Sequence, residues 1–459
     1  MSNYNDDAIA AKKKLDSISK SMCLAKWLQT SLYLTTGHTN SCYHPSPHKM
    51  DLSRENLNET PEKDVQKRQM ISGSRPSGCD YCWKMEDQGH MSDRHYRSGE
   101  PWAMNKFNDV IESYKTGKII NPTYVEVNFN YACNLKCSYC SPQYSSTWMA
   151  ESKHHGAWPT ITPHNDPSYF AGDRKPIPNR EHNPYLEKFW EWWPDLYKDL
   201  KHFRMTGGEP LMDPNTYKVF EYVLDNPKSD LHLNTTSNFS VEPDIFKKYI
   251  RYLKQICNVN ADNVEHFMQF VSIDAWAEKA EYIRHGLNFD RFCGYVHEYM
   301  NEVPSKNSIT FIITLNNLSI TSVDQLLKMI LDLRKQYSKT YQKIWFDVPL
   351  LTYPKWQSIQ ILPESYAYKL EKVIEFMEDN PENNFEGFKD YEIAKFKRNL
   401  DHMKMNLPNN VLNESKINFY RFFNEHDKRR NTDFLKTFPE MVEFWDECMY
   451  RSNECFRVK

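Results

Sequence analysis

The chain has 459 residues and a formal net charge of −3, so composition supplies no global pull toward nucleic acid or a membrane surface. Its 28 Tyr, 25 Phe and 12 Trp argue against disorder, and no run of about 18 apolar residues could span a bilayer. The N-terminus lacks the apolar core of a signal peptide; a cytoplasmic protein is expected, its 11 cysteines serving metal or redox chemistry rather than disulfides.

Three regions are expected: 1–105, short-elemented and cysteine-bearing; 118–355, alternating strands and helices; and 356–459, wholly helical. In the first, LQTSLYLTTGHTNSCY predicts a hairpin around Gly37 with strands near 28–35 and 38–43, followed by a polar stretch over about 44–78 read as loop and a short helix. Cys23, Cys42, Cys79 and Cys82 give four thiolates, enough to close a metal site; zinc and a four-iron cluster both suit them.

Strand candidates follow at 123–129, 202–208, 231–237, 267–274, 308–317 and 343–351, with helical patterns between them. Six strands separated by helices predict parallel βα units, in a barrel or an open doubly wound sheet. The Pro- and His-rich segment 154–184 is expected to be a loop inserted over the barrel mouth, with His154, His155 and His164 as surface histidines. The Lys428-Arg429-Arg430 run is expected on a solvated helix face, able to touch an acidic partner. Cys257, Cys293, Cys448 and Cys455 are assigned to packing. No P-loop, Rossmann fingerprint or HExxH occurs.

The strongest signal is NYACNLKCSYC, a C-x3-C-x2-C triplet at Cys133, Cys137 and Cys140 directly after the first of these strands. Three thiolates so close can wrap one iron–sulfur cube and leave its fourth iron open, as catalysis needs; zinc with a fourth ligand from elsewhere is the alternative. With Tyr139 before its last cysteine, the triplet resembles that of the radical S-adenosylmethionine (SAM) superfamily. The resemblance implies a [4Fe-4S] cluster that chelates SAM, cleaves it to a 5′-deoxyadenosyl radical and thereby removes hydrogen from a substrate.

Further motifs extend the resemblance. Gly207, Gly208 and Glu209 in MTGGEP match the family's segment around the SAM amino group. Ser237 and Asn238 match its ribose contacts, although both also suit a helix N-cap. Ser272 and Arg284 would hold the SAM carboxylate, leaving Asp274 to face the substrate as acid, base or binding group; surface salt bridges are the plain alternative for Arg284 and Asp274. Asn316 and Pro349 match weaker features near the nucleoside. The run from Cys79 to Arg94 resembles the twitch-type auxiliary domain, a shortened SPASM relative, placed before the barrel as in phage-encoded members. That implies a second [4Fe-4S] cluster and, for a phage protein, the host cytoplasm.

The expected fold is therefore α/β: a partial (β/α)6 TIM-like barrel, open at one side, with an N-terminal auxiliary-cluster lobe and a C-terminal helical extension. The expected partners are a flavodoxin- or ferredoxin-type electron donor and a peptide or protein substrate. Radical modification of a nucleotide or nucleic acid, and a non-catalytic iron–sulfur protein, are the alternatives.

Overall fold

The structure, a computed structural model, describes residues 4–170 and 172–457. In chain order its strands are β1 Gln29–Tyr33, β2 His38–Asn40, β3 His48–Lys49, β4 Tyr124–Asn128, β5 Lys136–Cys137 and β6 His202–Thr206. They continue with β7 His232–Ser237, β8 His266–Ser272, β9 Arg284–His285, β10 Asn307–Ile312 and β11 Ile344–Asp347. All six segments read as strands in the central region are present, as β4, β6, β7, β8, β10 and β11. They lie side by side in chain order and parallel.

Strict alternation explains the layering. Phe203 and Met205 of β6, Phe267 and Val271 of β8, and Ile309 and Phe311 of β10 are buried, and flanking helices cover that face. Pro243–Ile256, for example, buries Phe246, Tyr249, Ile250, Leu253 and Ile256 at helical spacing. Several helices start on a polar cap followed by proline: Asn183 accepts from the Tyr185 and Leu186 amides, and Asp213 from Asn215. Arg204, Thr206, Met268 and Phe270 on the opposite face stay half-exposed.

The N-terminal segment departs from expectation. The hairpin forms, β1 against β2, with Gly37 in the left-handed region at φ +65. Yet β1 also pairs in parallel with β4, from Gln29 opposite Tyr124 to Tyr33 opposite Asn128, so the hairpin extends the main sheet. A second, smaller core lies beside it, built from Leu15, Met22, Trp27, Met70, Trp83 and Val110. The sheet runs β11-β10-β8-β7-β6-β4-β1-β2-β3, with β11 and β3 at its edges.

The C-terminal region is helical, chiefly Ala367–Glu378, Asp390–Lys404, Asn409–Arg430 and Val442–Arg457, and it shares the core of the sheet. Two expectations are corrected where it packs. Of the Lys428-Arg429-Arg430 run only Lys428 is on a solvated face: Arg429 donates to the Gly156 and Ala157 carbonyls, and Arg430 is buried against Glu151. His164 is likewise not on the surface, being 6% exposed and edge-on to Trp356 at 4.9 Å. The apolar ring cage drives both: Trp158 stacks on Phe422 at 4.3 Å, and Arg430 lies over Trp148. His154 and His155 are exposed, as expected. No helix among the described residues is long and apolar enough to cross a membrane.

Arg334 and Glu392 join the last parallel βα unit to this region through two ion-pair contacts of 2.7 and 3.0 Å, with both side chains fully buried. Removing one partner strands the other charge in the core, at a cost of about 3–5 kcal/mol. Glu392→Gln is expected to lower the urea-unfolding free energy by about that amount. Lys198→Ala, in an exposed pair with Asp195, should stay within about 0.5 kcal/mol.

Candidate functional site

The loop bearing Cys133, Cys137 and Cys140 leaves the carboxyl end of β4 and runs into the helix Ser146–His155. Parallel βα folds build their sites at that edge, where loops diverge and strand ends leave a crevice. All three cysteines are partly exposed. Burial nevertheless pushes their thiols up, Cys140 to about 12, and neighbouring sulfurs add to this at Cys133 and Cys140. The Leu135 amide donates to Cys133 Sγ at 3.5 Å, and Arg284 Nη1 lies 3.6 Å from Cys137 Sγ.

The glycine pair clamps this loop from below. Gly207 has φ +107, and a Cβ there would lie 2.4 Å from the Asn128 side chain; one on Gly208 would lie 2.2 Å from the Ala132 carbonyl oxygen. Only glycine allows that approach, which lets the Glu209 amide donate to the Ala132 oxygen at 2.6 Å. The Glu209 carboxylate is 1% exposed and accepts from Ser237 Oγ (2.8 Å), the Asn238 amide (2.8 Å) and the Leu211 amide (3.1 Å). Burial, partly offset by those donors, pushes its carboxyl up to about 7. Glu209 thus ties the ends of β6 and β7 together. Asn238 in turn donates to Asn134 Oδ1 at 2.8 Å, inside the cysteine loop.

Above, β5 pairs with β9, placing Cys137 opposite Arg284. Asp274 differs from expectation. Rather than facing a substrate, it is fully buried: Arg284 Nε and Nη2 lie 2.8 and 3.0 Å from its two oxygens. Tyr139 Oη donates to Oδ2 at 2.7 Å and the Thr314 amide to Oδ1 at 3.0 Å. Arg284 Nη2 also donates to Tyr139 Oη at 2.6 Å, so the guanidinium expected on the SAM carboxylate is engaged by the chain's own groups. Neither residue forms the surface salt bridge that was the plain alternative. Asn316 is spent in a turn, accepting from the Leu318 and Ser319 amides. Ser272 closes β8 half-exposed, and Pro349 is exposed just beyond β11.

Three groups at this site escaped the sequence reading. Asn128 ends β4 beside Gly207, 2% exposed, and its Oδ1 has no partner among the described residues. Gln357 exchanges two hydrogen bonds with Ser138, at 2.7 and 3.0 Å. Arg430 donates to the Lys136 carbonyl at 2.8 Å and pairs with Glu151. Alternation with Val125 and Val127 in the strand is the signal that could have singled out Asn128; the other two lie too far along the chain for any local signal.

The second cysteine set also converges. Cys23, Cys42, Cys79 and Cys82 line one small, almost wholly apolar cavity. The Cys79–Arg94 run accounts for its frame: Arg94 forks onto Glu86 at 2.9 and 2.7 Å, Ser92 donates to the same carboxylate, and Arg94 Nη1 reaches the Met22 carbonyl beside Cys23. Among the described residues, no three His, Cys, Asp or Glu side chains are drawn together as a single metal ion requires. A tetrahedral zinc with bonds of about 2.3 Å would hold its sulfurs roughly 3.8 Å apart; a four-iron cube spreads its ligands further.

Fold and site together define an α/β protein with a mostly parallel sheet, a clamped three-cysteine loop at its carboxyl edge and a four-cysteine cavity beside it. No protein-family model matches the chain, and no curated protein matches it. Among solved structures it is similar to SuiB of Streptococcus suis bound to the precursor peptide SuiA, at 12% identity and a TM-score of 0.35, covering 77% of this chain and 68% of that one. SuiB bound to S-adenosylmethionine gives 11% and 0.36, covering 77% and 69%.

Two outcomes follow from the clamp. Gly208→Ala is expected to displace the loop, raising iodoacetamide labelling of Cys133, Cys137 and Cys140 several-fold by peptide mass spectrometry while buried Cys257 stays protected. At Glu151, burial alone would raise the carboxyl, but Arg430 and Lys136 outweigh it and hold the group at about 2, below its ordinary 4.5. A depressed carboxyl stabilises fully above its ordinary value and loses that contribution as pH falls. The destabilisation caused by Arg430→Met, read by urea unfolding, should therefore shrink between pH 4.5 and 2.

Proposed function

We propose that the chain is a radical SAM enzyme whose Cys133, Cys137 and Cys140 hold a four-iron cluster. The observation that carries this reading is the clamped loop itself: three thiols from one turn, fixed from below by Gly207-Gly208 and from above by the β5–β9 ladder. When bound, the cluster with SAM on its fourth iron supplies the electron that cleaves SAM to methionine and a 5′-deoxyadenosyl radical, which takes hydrogen from the substrate.

The chain's own residues then divide the remaining work. Asn128, with its buried unanswered oxygen beside the glycine pair, is placed to accept from a bound ammonium. Ser237, Asn238 and Glu209 shape the wall between β6 and β7, and Ser272 offers a hydroxyl at the end of β8. Asp274 and Arg284 act as positioning residues, holding Tyr139 between two of the cysteines. Cys23, Cys42, Cys79 and Cys82 suit a second four-iron cluster, since four thiols share one cavity without the close gathering a single ion needs.

The substrate we propose is a peptide or protein side chain. A cleft opens beside Cys140, between the inserted segment, the loop after β11 and the helix Asn409–Arg430. Ser141, His164, Asn165, Tyr353, Trp356 and Asn418 line it, and Asn165 donates to the Cys140 carbonyl at 3.2 Å. Its exposed Tyr353 and its amide-bearing walls suit an extended chain.

Anaerobic reconstitution with iron and sulfide, then dithionite and SAM, tests the reading. The expected result is about eight irons per chain and 5′-deoxyadenosine by chromatography. Replacing Cys133, Cys137 and Cys140 by alanine should leave about four irons and abolish deoxyadenosine. Zinc in place of iron, with SAM left intact, would overturn the proposal.

A further inference from the structure

The N-terminal cavity carries positive charge that its carboxylates do not answer. Lys26 lines it, 2% exposed, and its Nζ donates to the neutral Gln66 Oε1 at 2.6 Å. Behind it Lys63 is fully buried, donating to Asn58 Oδ1 at 2.6 Å and to the Thr30 and Thr39 hydroxyls, and burial pulls its pKa well below the ordinary lysine value, which disfavours a charge there. The one carboxylate on the cavity wall, Asp93, is turned to His44 Nε2 at 2.7 Å. Arg94 and Arg97 are paired with Glu86 and Glu100, but Arg97 Nη2 is buried without a partner, as is Ser41 Oγ on the same wall. Burying an ammonium without an anion costs several kcal/mol, so the cavity is built around negative charge. Four thiols face it, and the Lys26 charge already bears on Cys42 and Cys79.

We propose that Lys26 is the counter-charge of an iron–sulfur cluster on Cys23, Cys42, Cys79 and Cys82, and that it raises that cluster's reduction potential. The inference rests on reading these four cysteines as cluster ligands. Four thiolates around a four-iron core leave it anionic, and one-electron reduction adds a further negative charge. A fixed ammonium a short distance away favours the reduced state more than the oxidised one. The electron comes from the external reductant, and no bond is made or broken. The buried Arg97 nitrogen and Ser41 hydroxyl supply donors for the cluster's sulfurs, which act in the same direction.

The test uses the full chain with Cys133, Cys137 and Cys140 replaced by alanine, so that any iron reports on the N-terminal site. This parent, Lys26→Met and Lys26→Arg are reconstituted anaerobically, assayed for iron and titrated with dithionite under electron paramagnetic resonance. The expected result is about four irons in the parent, a midpoint shifted to lower potential in Lys26→Met, and a midpoint near the parent's in Lys26→Arg. Loss of iron from Lys26→Met alone, with unchanged circular dichroism, equally supports a required charge. Equal midpoints in Lys26→Met and parent at equal iron content would overturn the role of Lys26 and leave the cluster standing. Loss of iron from Lys26→Arg as well would overturn it too, since shape rather than charge would then be at stake. A parent that binds no iron would overturn the four-cysteine cluster and this inference with it.

Discussion

Arg284 and Asp274 meet in the interior, and the cost of bringing both charges there is offset by the contacts around them. Asp274 takes two guanidinium contacts, a phenol and a backbone amide; Arg284 Nη2 is shared between Asp274 and Tyr139 Oη, and Nη1 lies against Cys137 Sγ. Because Tyr139 stands between Cys137 and Cys140 in the chain, fixing its ring fixes the spacing of two sulfurs. A loop that projects from a strand end would otherwise sample many arrangements. The ion pair converts it into a preformed face of three thiols.

The other restraints gain their meaning from that one. The glycine pair sets the height of the loop above β6, since any side chain at Gly208 would push Ala132 away and pull Cys133 with it. Gln357 and Arg430 close the outer side, from segments that follow the last strand. The C-terminal helices are therefore part of the site's wall: Arg430 holds the Lys136 carbonyl while Glu151 holds Arg430, and Trp148 and Trp158 shield the pair from water. Strand ends, loop and tail form one mechanical unit, and a disturbance at any of the three is felt at the sulfurs.

What was legible in the sequence follows the range of the forces involved. The six parallel strands showed themselves through alternation and flanking caps, both local. Gly37 announced its hairpin and the cysteine spacing announced the loop, whereas the glycine pair, expected beside a ligand, meets the loop's own backbone at Ala132. The pairing of β1 with β4 was hidden, because strand partnership between distant segments is decided by which apolar faces can be covered together. Arg429, Arg430 and His164 were misread for a related reason. A charged or titratable residue on a polar helix or loop is ordinarily solvated, and only the distant rings of Trp148, Trp158 and Trp356 make burial tolerable here. Asp274 looked free because its spacing to Arg284 gives no hint that the two side chains turn toward each other.

The two cysteine sites differ most in how their cations are balanced. Beside Cys137, Arg284 is paired with Asp274, and Glu151 answers both Arg430 and Lys136, so each of these cations has a carboxylate partner. Beside Cys42 and Cys79, Lys26 meets only neutral oxygen, and an arginine nitrogen and a serine hydroxyl on the same wall have no partner. On the reading proposed above, an added electron is then better compensated in the N-terminal cavity than at the loop. On that reading the same thiol ligands, set in two electrostatic frames, would favour different charge states, and site-specific redox behaviour would follow from the placement of single side chains with no change in ligand type.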